Sequence, residues 1–133
     1  MKRMFVVLIT VIVMTSILYA QKVPQGEEFK KWMQDIDTQV KNFTAAYESM
    51  DLAKASASIS ALEKDFENVD THFSKAQKAD AVKWSKETRA RLGEAGDKLK
   101  RQDISYALNL VQLNQKTCKS CHDVYRAAPT KTN

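Results

Sequence analysis

The sequence predicts an all-α protein, an up-down-up-down antiparallel four-helix bundle. Residues 21–133 are rich in Ala, Lys, Glu and Gln, which favour helices, and no alternating strand pattern is visible. Apolar residues recur every three or four positions in four successive segments with short connections, which is typical of a bundle. Proline and glycine lie only near the ends of this part or at one turn, at Pro24, Gly26, Gly93, Gly96 and Pro129.

The first two predicted helices span residues 27–49 and 51–73. The apolar stripe of the first is Phe29, Trp32, Met33, Ile36, Val40, Phe43 and Tyr47. In the second helix the stripe is Leu52, Ala55, Ile59, Leu62, Phe66, Val69 and Phe73. Steps of three and four residues predict one buried seam per helix. Ser49 or Asp51 is the expected N-cap between them.

The third and fourth predicted helices span residues 78–94 and 102–127. The third is less regular, with Ala81, Val82, Trp84, Ser85, Thr88, Leu92 and Ala95, and the segment from Gly93 to Gly96 predicts its end. The fourth carries Ile104, Leu108, Val111, Gln115, Cys118, His122 and Tyr125 on its predicted core stripe. Pro129 is expected to end it.

Residues 1–20 resemble a secretory signal peptide. Lys2 and Arg3 precede an uncharged, largely apolar run at residues 4–18, and Ala20 offers a small residue for cleavage. The alternative is an uncleaved membrane anchor, for which the run is short. We therefore expect an exported, periplasmic protein without stable membrane insertion, whose single domain covers residues 21–133.

The chemistry-bearing motif lies near the C-terminus. The only two cysteines of the chain stand three residues apart and are followed directly by histidine, in Cys118-Lys119-Ser120-Cys121-His122. On a helix, positions i and i+3 share a face, so two thiols there can bond both vinyl groups of one porphyrin. The histidine can then bind the iron as proximal ligand.

Three other interpretations of the cysteines are weaker. A structural zinc site needs four ligands, and the chain offers beyond the motif only the distant His72. A thioredoxin-like redox pair accompanies a βαβ pattern, which is not visible here. A disulfide within the motif would close a very small loop and stabilise little. The sequence therefore predicts one covalently attached haem c.

The bundle topology limits which residues can reach the other face of the iron. Alternating helix directions place His122 at the same end as the start of the first helix. Met33 lies there on the apolar stripe, and His/Met ligation is typical of electron-transferring haems; core packing is the alternative for this residue. His72 also reaches this end, but one step off its stripe, so we expect it to face solvent or to be hydrogen-bonded rather than to bind iron. A third alternative is an open sixth position lined by Phe29, Trp32 or Phe73.

Charge and composition exclude several functions. The formal net charge is +5 and falls to +3 without Lys2 and Arg3, which gives weak support for an acidic redox partner. No aromatic-basic motif predicts nucleic-acid binding. No carboxylate pair, Ser/His/Asp set or glycine-rich phosphate loop predicts an enzyme, so we expect none.

The motif and its surroundings resemble the class II c-type cytochromes, that is, cytochrome c prime and its low-spin relatives. The resemblance rests on the segment from Cys118 to Arg126, including Tyr125-Arg126, on the last of four helices behind a signal peptide. It implies a four-helix bundle with one haem c, His122 as proximal ligand and, in the low-spin branch, a methionine of the first helix, here Met33. Dimers through the first two helices occur in that family, so a homodimer is a further expectation.

Two departures from cytochrome c prime favour the low-spin branch. The first helix lacks the arginine-glutamine pair that often precedes the distal position, and the connection between the second and third helices is short. We therefore expect a periplasmic monohaem cytochrome that exchanges single electrons with redox partner proteins. The alternative is a five-coordinate haem protein that binds or senses small gases such as nitric oxide or carbon monoxide.

Overall fold

Four helices make up almost all of the chain that the structure, a computed structural model, describes, namely residues 26–126. They are α1 (Glu27–Glu48), α2 (Leu52–Lys75), α3 (Ala79–Lys100) and α4 (Ile104–Tyr125), and these residues contain no strand. The architecture is all-helical and consistent with the predicted four-helix bundle. None of the described helices is both long and apolar enough to cross a membrane. The predicted signal peptide at residues 1–20 and the predicted stop at Pro129 lie outside the described residues.

The three connections between helices have the same geometry. Each has three residues, and the middle one adopts a left-handed backbone conformation, with φ of 54° at Met50, 56° at Gln77 and 62° at Gln102. In each turn the third residue donates its N–H to a carbonyl five positions earlier, at 2.8–3.0 Å. This is the Schellman pattern, which satisfies the carbonyls at a helix end. Because each turn reverses the chain within three residues, successive helices run antiparallel.

The last residue of each turn is also the N-cap of the next helix. Asp51 caps α2 through a hydrogen bond from the Lys54 N–H at 3.0 Å, as predicted. Asp103 caps α4 in the same way, accepting from the Tyr106 N–H at 3.0 Å. Helix α4 therefore begins at Ile104, two residues later than predicted, because the aspartate occupies the cap position.

The predicted end of α3 near Gly93 was wrong. The helix continues through both glycines to Lys100, because the buried residues Ala95 and Leu99 extend the apolar stripe beyond residue 94. Neither glycine has a positive φ, so neither forms the left-handed cap that the sequence suggested. Gly96 lies on the side of α3 that faces α2, where a Cβ would lie at an ordinary contact distance of 3.7 Å from Ile59 Cγ2, so the packing there does not require glycine.

The core lies between helices that are neighbours in sequence. Its largest fully buried side chains are Phe43, Phe73, Ile59, Leu62, Leu92, Ile104 and Thr88. Helix α1 packs on α2, α2 on α3 and α3 on α4, whereas α1 and α4 meet at few positions. The predicted core position Gln115 is exposed, and Ala107, Leu110, Asn114 and Thr117 are buried instead. The reason is that α4 turns this other side toward α3.

Candidate haem-binding site

The three motif side chains lie in the last two turns of α4. Cys118 and Cys121 are both half-buried free thiols, whereas His122 is exposed, although its position was predicted to lie on the core stripe. Their arrangement on one helix keeps the i, i+3 relation of the thiols that two neighbouring vinyl groups require. No disulfide joins the two thiols.

The protonation states of these groups follow from their partial burial. Burial raises the pKa of the Cys118 thiol. The pKa of Cys121 rises to about 11, first through burial and then through the neighbouring Cys118 and the carboxylate of Asp80. The pKa of His122 is lowered by partial desolvation and by Arg126, with Asp123 opposing. At neutral pH both thiols are therefore protonated, and His122 is in the neutral form that can bind a metal.

His122 lies on the flank of α4 that faces α1. Arg91 of α3 donates hydrogen bonds to Asn114 Oδ1 at 3.3 Å and Thr117 Oγ1 at 2.9 Å, which identifies the flank of α4 that faces α3. His122 lies on the other flank, in line with Gln115 seven residues earlier, because seven residues are close to two helical turns. That flank borders the sparsely packed edge between α1 and α4.

Met33 lies on the corresponding flank of α1. Asp35 lies on the flank of α1 nearer to Asp65 of α2, because its negative charge is the second cause, after burial, that raises the pKa of Asp65. Met33, Val40 and Tyr47 recur every seven residues on the flank away from Asp35, and all three are half-buried. Met33 therefore borders the same α1–α4 edge as the motif histidine.

Met33 and His122 lie in corresponding turns of their helices. The ring centroid of Phe73 is 5.6 Å from that of Phe29 and 5.0 Å from that of Tyr125, so rings of α1 and α4 both pack near the same phenylalanine at this end of the bundle. Met33 is four residues from Phe29, about 6 Å along α1, and His122 is three residues from Tyr125, about 4.5 Å along α4. Each candidate ligand thus lies about one helical turn farther from this end of the bundle than the aromatic residue of its own helix.

His72 differs from the expectation that it would face solvent or be hydrogen-bonded. It is half-buried, with ring centroids 4.7 Å from Phe29, 5.3 Å from Phe73 and 6.3 Å from Trp32. Its Nε2 is buried and has no hydrogen-bond partner. Burial, followed by the charge of Lys75, lowers the pKa of His72, so the ring is neutral at pH 7. A buried nitrogen without a hydrogen-bond partner costs free energy of folding and calls for an explanation. His72 is therefore a second candidate for binding iron.

Sequence reasoning missed Asp80, in the first turn of α3. Its Oδ1 accepts a hydrogen bond from the Tyr125 phenol at 2.5 Å, and its charge acts on Cys121. A signal was present, since an acidic residue in the first turn of the third helix must lie at the same end as the C-terminus of the fourth. Nothing in the sequence, however, shows which way the two helices are rotated.

The residues present fit a covalently attached haem. Two free thiols stand one helical turn apart, a neutral imidazole follows them, and an unpartnered histidine nitrogen and a methionine lie at the same end of the bundle. In the part of the chain that the structure describes, no group of three or more His, Cys, Asp or Glu side chains could hold a bare metal ion. Haem iron takes only one or two ligands from the protein. Comparison of this chain with protein-family models, with curated proteins and with solved structures finds no match.

Proposed function

We propose that this chain is an exported monohaem c-type cytochrome that carries single electrons. Cys118 and Cys121 form the two thioether bonds, and His122 is the proximal iron ligand. The observation that carries the proposal is the Cys-x-x-Cys-His motif, whose two thiols are unpaired and lie one turn apart on α4. When bound, the haem supplies a one-electron couple between ferric and ferrous iron.

The residues of the chain hold and screen this group. The neutral His122 imidazole would offer a lone pair to the iron, and Met33 on α1 would offer its thioether. Constant coordination by both side chains would keep the change in geometry between the two redox states small. The aromatic rings of Phe29, Phe73 and Tyr125 supply an apolar boundary that excludes water at this end of the bundle.

A five-coordinate haem that binds small gases is the second candidate. The observation that favours it is the cluster of apolar rings formed by Phe29, Trp32 and Phe73, which suits a pocket for a diatomic ligand. In this alternative His122 is the only protein ligand and Met33 packs beside the haem. His72 binding the iron through Nε2 is a variant of the first function, with two histidines in place of His/Met.

The setting of the protein follows from the same proposal. Haem attachment to this motif takes place outside the bacterial cytoplasmic membrane, which agrees with the predicted signal peptide at residues 1–20. We propose a periplasmic location, exchange of electrons with larger redox proteins, a homodimer as one assembly state, and no catalytic or nucleic-acid-binding role. The mild positive charge supports an acidic redox partner.

The visible spectrum of the exported protein tests the attachment. We expect a red protein whose haem remains with the polypeptide after acid-acetone extraction. Cys121→Ala should give a lower yield of covalent haem, because one of the two thioether bonds is lost, and a Cys118→Ala/Cys121→Ala double variant should retain no haem after extraction. A colourless wild-type protein, or unaltered covalent haem in both single cysteine variants, would refute the attachment.

Spectra of the reduced protein with carbon monoxide identify the sixth ligand. Met33→Ala should convert a six-coordinate, low-spin spectrum to a high-spin one that binds carbon monoxide quickly. Met50→Ala is the matched control, because this methionine is 65 % exposed at the opposite end of the bundle. If only His72→Ala changes the spectrum, His72 is the ligand; if wild type is already high-spin, the gas-binding alternative holds.

A further inference from the structure

Tyr125 is the least exposed residue in the last turn of α4. Three of the four residues of this turn, His122, Asp123 and Val124, are exposed, and only Tyr125 is half-buried. Asp123 pairs with Lys119 of the same helix at 2.6 Å, so that ion pair does not fix the turn to another helix. Helix ends fray unless tertiary contacts hold them. The turn that carries the candidate iron ligand therefore depends on the contacts of its final residue.

Tyr125 makes contacts with two other helices. Its phenol donates a hydrogen bond to Asp80 Oδ1 of α3 at 2.5 Å, a length typical of a hydroxyl bound to a charged carboxylate. Its ring packs on Phe73 of α2, with centroids 5.0 Å apart. Phe73 in turn lies 5.6 Å from Phe29 of α1. One side chain thus links the end of α4 to all three other helices, directly or through one ring.

The geometry of Asp80 suits this role. The carboxylate lies in the first turn of α3, where the helix dipole favours a negative charge, and the same Oδ1 accepts the N–H of Ala81 at 2.8 Å. This second bond fixes the carboxylate before the phenol binds it, so less side-chain freedom is lost when the pair forms. The acceptor is thereby preorganised.

We propose that Tyr125 and Asp80 form a latch that positions His122 by holding the last turn of α4 against α3. Tyr125 and Asp80 are positioning residues: they act on the orientation of the His122 ring and do not touch the iron. This inference rests on the proposed function for the identity of His122 as a ligand, but the latch itself exists independently of haem. In metal sites, groups that orient a ligand affect the properties of the metal as well as its retention.

Amide hydrogen exchange measured by mass spectrometry tests the latch directly. Tyr125→Phe keeps the ring contact with Phe73 and removes only the hydroxyl. We expect exchange of residues 122–126 to become about fivefold faster, which corresponds to about 1 kcal/mol, while exchange in α2 is unchanged. Tyr106→Phe, at the other end of α4, is the matched control and should change nothing. Wild-type exchange at residues 122–126 in Tyr125→Phe would overturn the proposal.

Rescue by a conservative variant separates the hydrogen bond from a general structural effect. Asp80→Ala should accelerate exchange at residues 122–126 as much as Tyr125→Phe does, and the double variant should be no faster than either single one. Asp80→Asn keeps an oxygen acceptor and should restore most of the protection. Equal acceleration in Asp80→Asn and Asp80→Ala would overturn the assignment of the bond.

The midpoint potential of the haem-loaded protein tests the link to His122. Tyr125→Phe should shift it, because the orientation of the histidine ring changes, and Tyr106→Phe should not. Faster amide exchange in Tyr125→Phe without a shift of the midpoint potential would show that the latch holds the helix end but does not position His122. That result would overturn the positioning role. A protein without covalent haem would defeat the proposed function alone, since the exchange measurements would still decide on the latch.

Discussion

The reactivity of Cys121 offers a quantitative test of the site in the haem-free chain. Its thiol is half-buried on the inner side of α4, and its pKa rises from an ordinary value of 9.0 to about 11 through burial, the neighbouring Cys118 and Asp80. Unfolding the chain removes all three causes of the raised pKa. A Cys118→Ser variant leaves Cys121 as the only reporter, and burial, the largest cause, remains in it.

The expected rate difference follows from two opposing effects. At pH 8 about one thiol in ten is ionised when the pKa is 9 and about one in a thousand when it is 11, a loss of ~100-fold. The more basic thiolate is a better nucleophile, and the logarithm of its rate constant rises by ~0.4–0.5 per pKa unit. This effect raises the rate again by ~6–10-fold. With the wild-type pKa, the folded chain would therefore react ~10-fold more slowly than the unfolded chain, before any effect of limited access. The Cys118→Ser variant lacks the contribution of Cys118 to the raised pKa, so ~10-fold is the upper bound of the pKa effect in that variant.

The assay is the absorbance change on reaction with dithionitrobenzoate, in buffer and in urea, on protein made in a cytoplasm, where haem is not attached. The ratio of the two rates should shrink as the pH rises toward about 11, because the folded thiol then ionises. Asp80→Asn should raise the folded rate and leave the unfolded rate unchanged. Equal rates in buffer and urea at pH 8 would refute the argument. In exported protein that has first been treated with a reductant to open any disulfide, failure of both cysteines to react even in urea would indicate thioether bonds.

Three substitutions test other parts of the structure. Gly96→Ala should stabilise the protein by ~1 kcal/mol and raise Tm by ~4–8 °C, because the new Cβ meets Ile59 at an ordinary 3.7 Å inside a helix; a lower Tm would contradict the packing. Gln102→Gly should raise the free energy of unfolding by ~0.5 kcal/mol, because φ is 62° at this position. The urea midpoint should rise with an unchanged slope, and a lower midpoint would contradict the turn geometry. His72→Leu should stabilise the haem-free chain by ~1 kcal/mol by removing an unpartnered buried nitrogen, and a changed spectrum of the haem-loaded variant would instead identify His72 as an iron ligand.

Much of the fold could be predicted because local rules acted alone. The periodic stripes predicted four helices, and Asp51 predicted the start of α2, since a cap depends only on nearby backbone groups. The end of α3 could not be predicted in this way. Gly96 has the same sequence signal as a helix stop, but the helix continues because Ala95 and Leu99 are buried against other helices. The left-handed residue at Met50 likewise carries no glycine signal.

The candidate site shows the same division. The spacing of Cys118 and His122 is local, so the motif was visible in the sequence, and the topology placed Met33 at the same end. The burial of His72 Nε2 and the bond between Asp80 and Tyr125 depend on how the helices are rotated about their axes. Rotation is decided by the summed packing of entire faces. A sequence stripe defines such a face only to about one residue, as the exposed Gln115 shows.

The sparse contact between α1 and α4 connects the fold to the proposed function. Three short turns hold the other helix pairs together, but no turn joins α1 to α4, so side chains alone must close that edge. Met33 is half-buried there and His122 is exposed, so the edge is incompletely packed in the polypeptide by itself. A planar, mostly apolar group bonded to α4 and bound by α1 would bury both side chains and supply the missing contacts. On this argument the proposed haem would be a structural part of the bundle, and its loss should loosen α1 and α4 before it loosens α2 and α3.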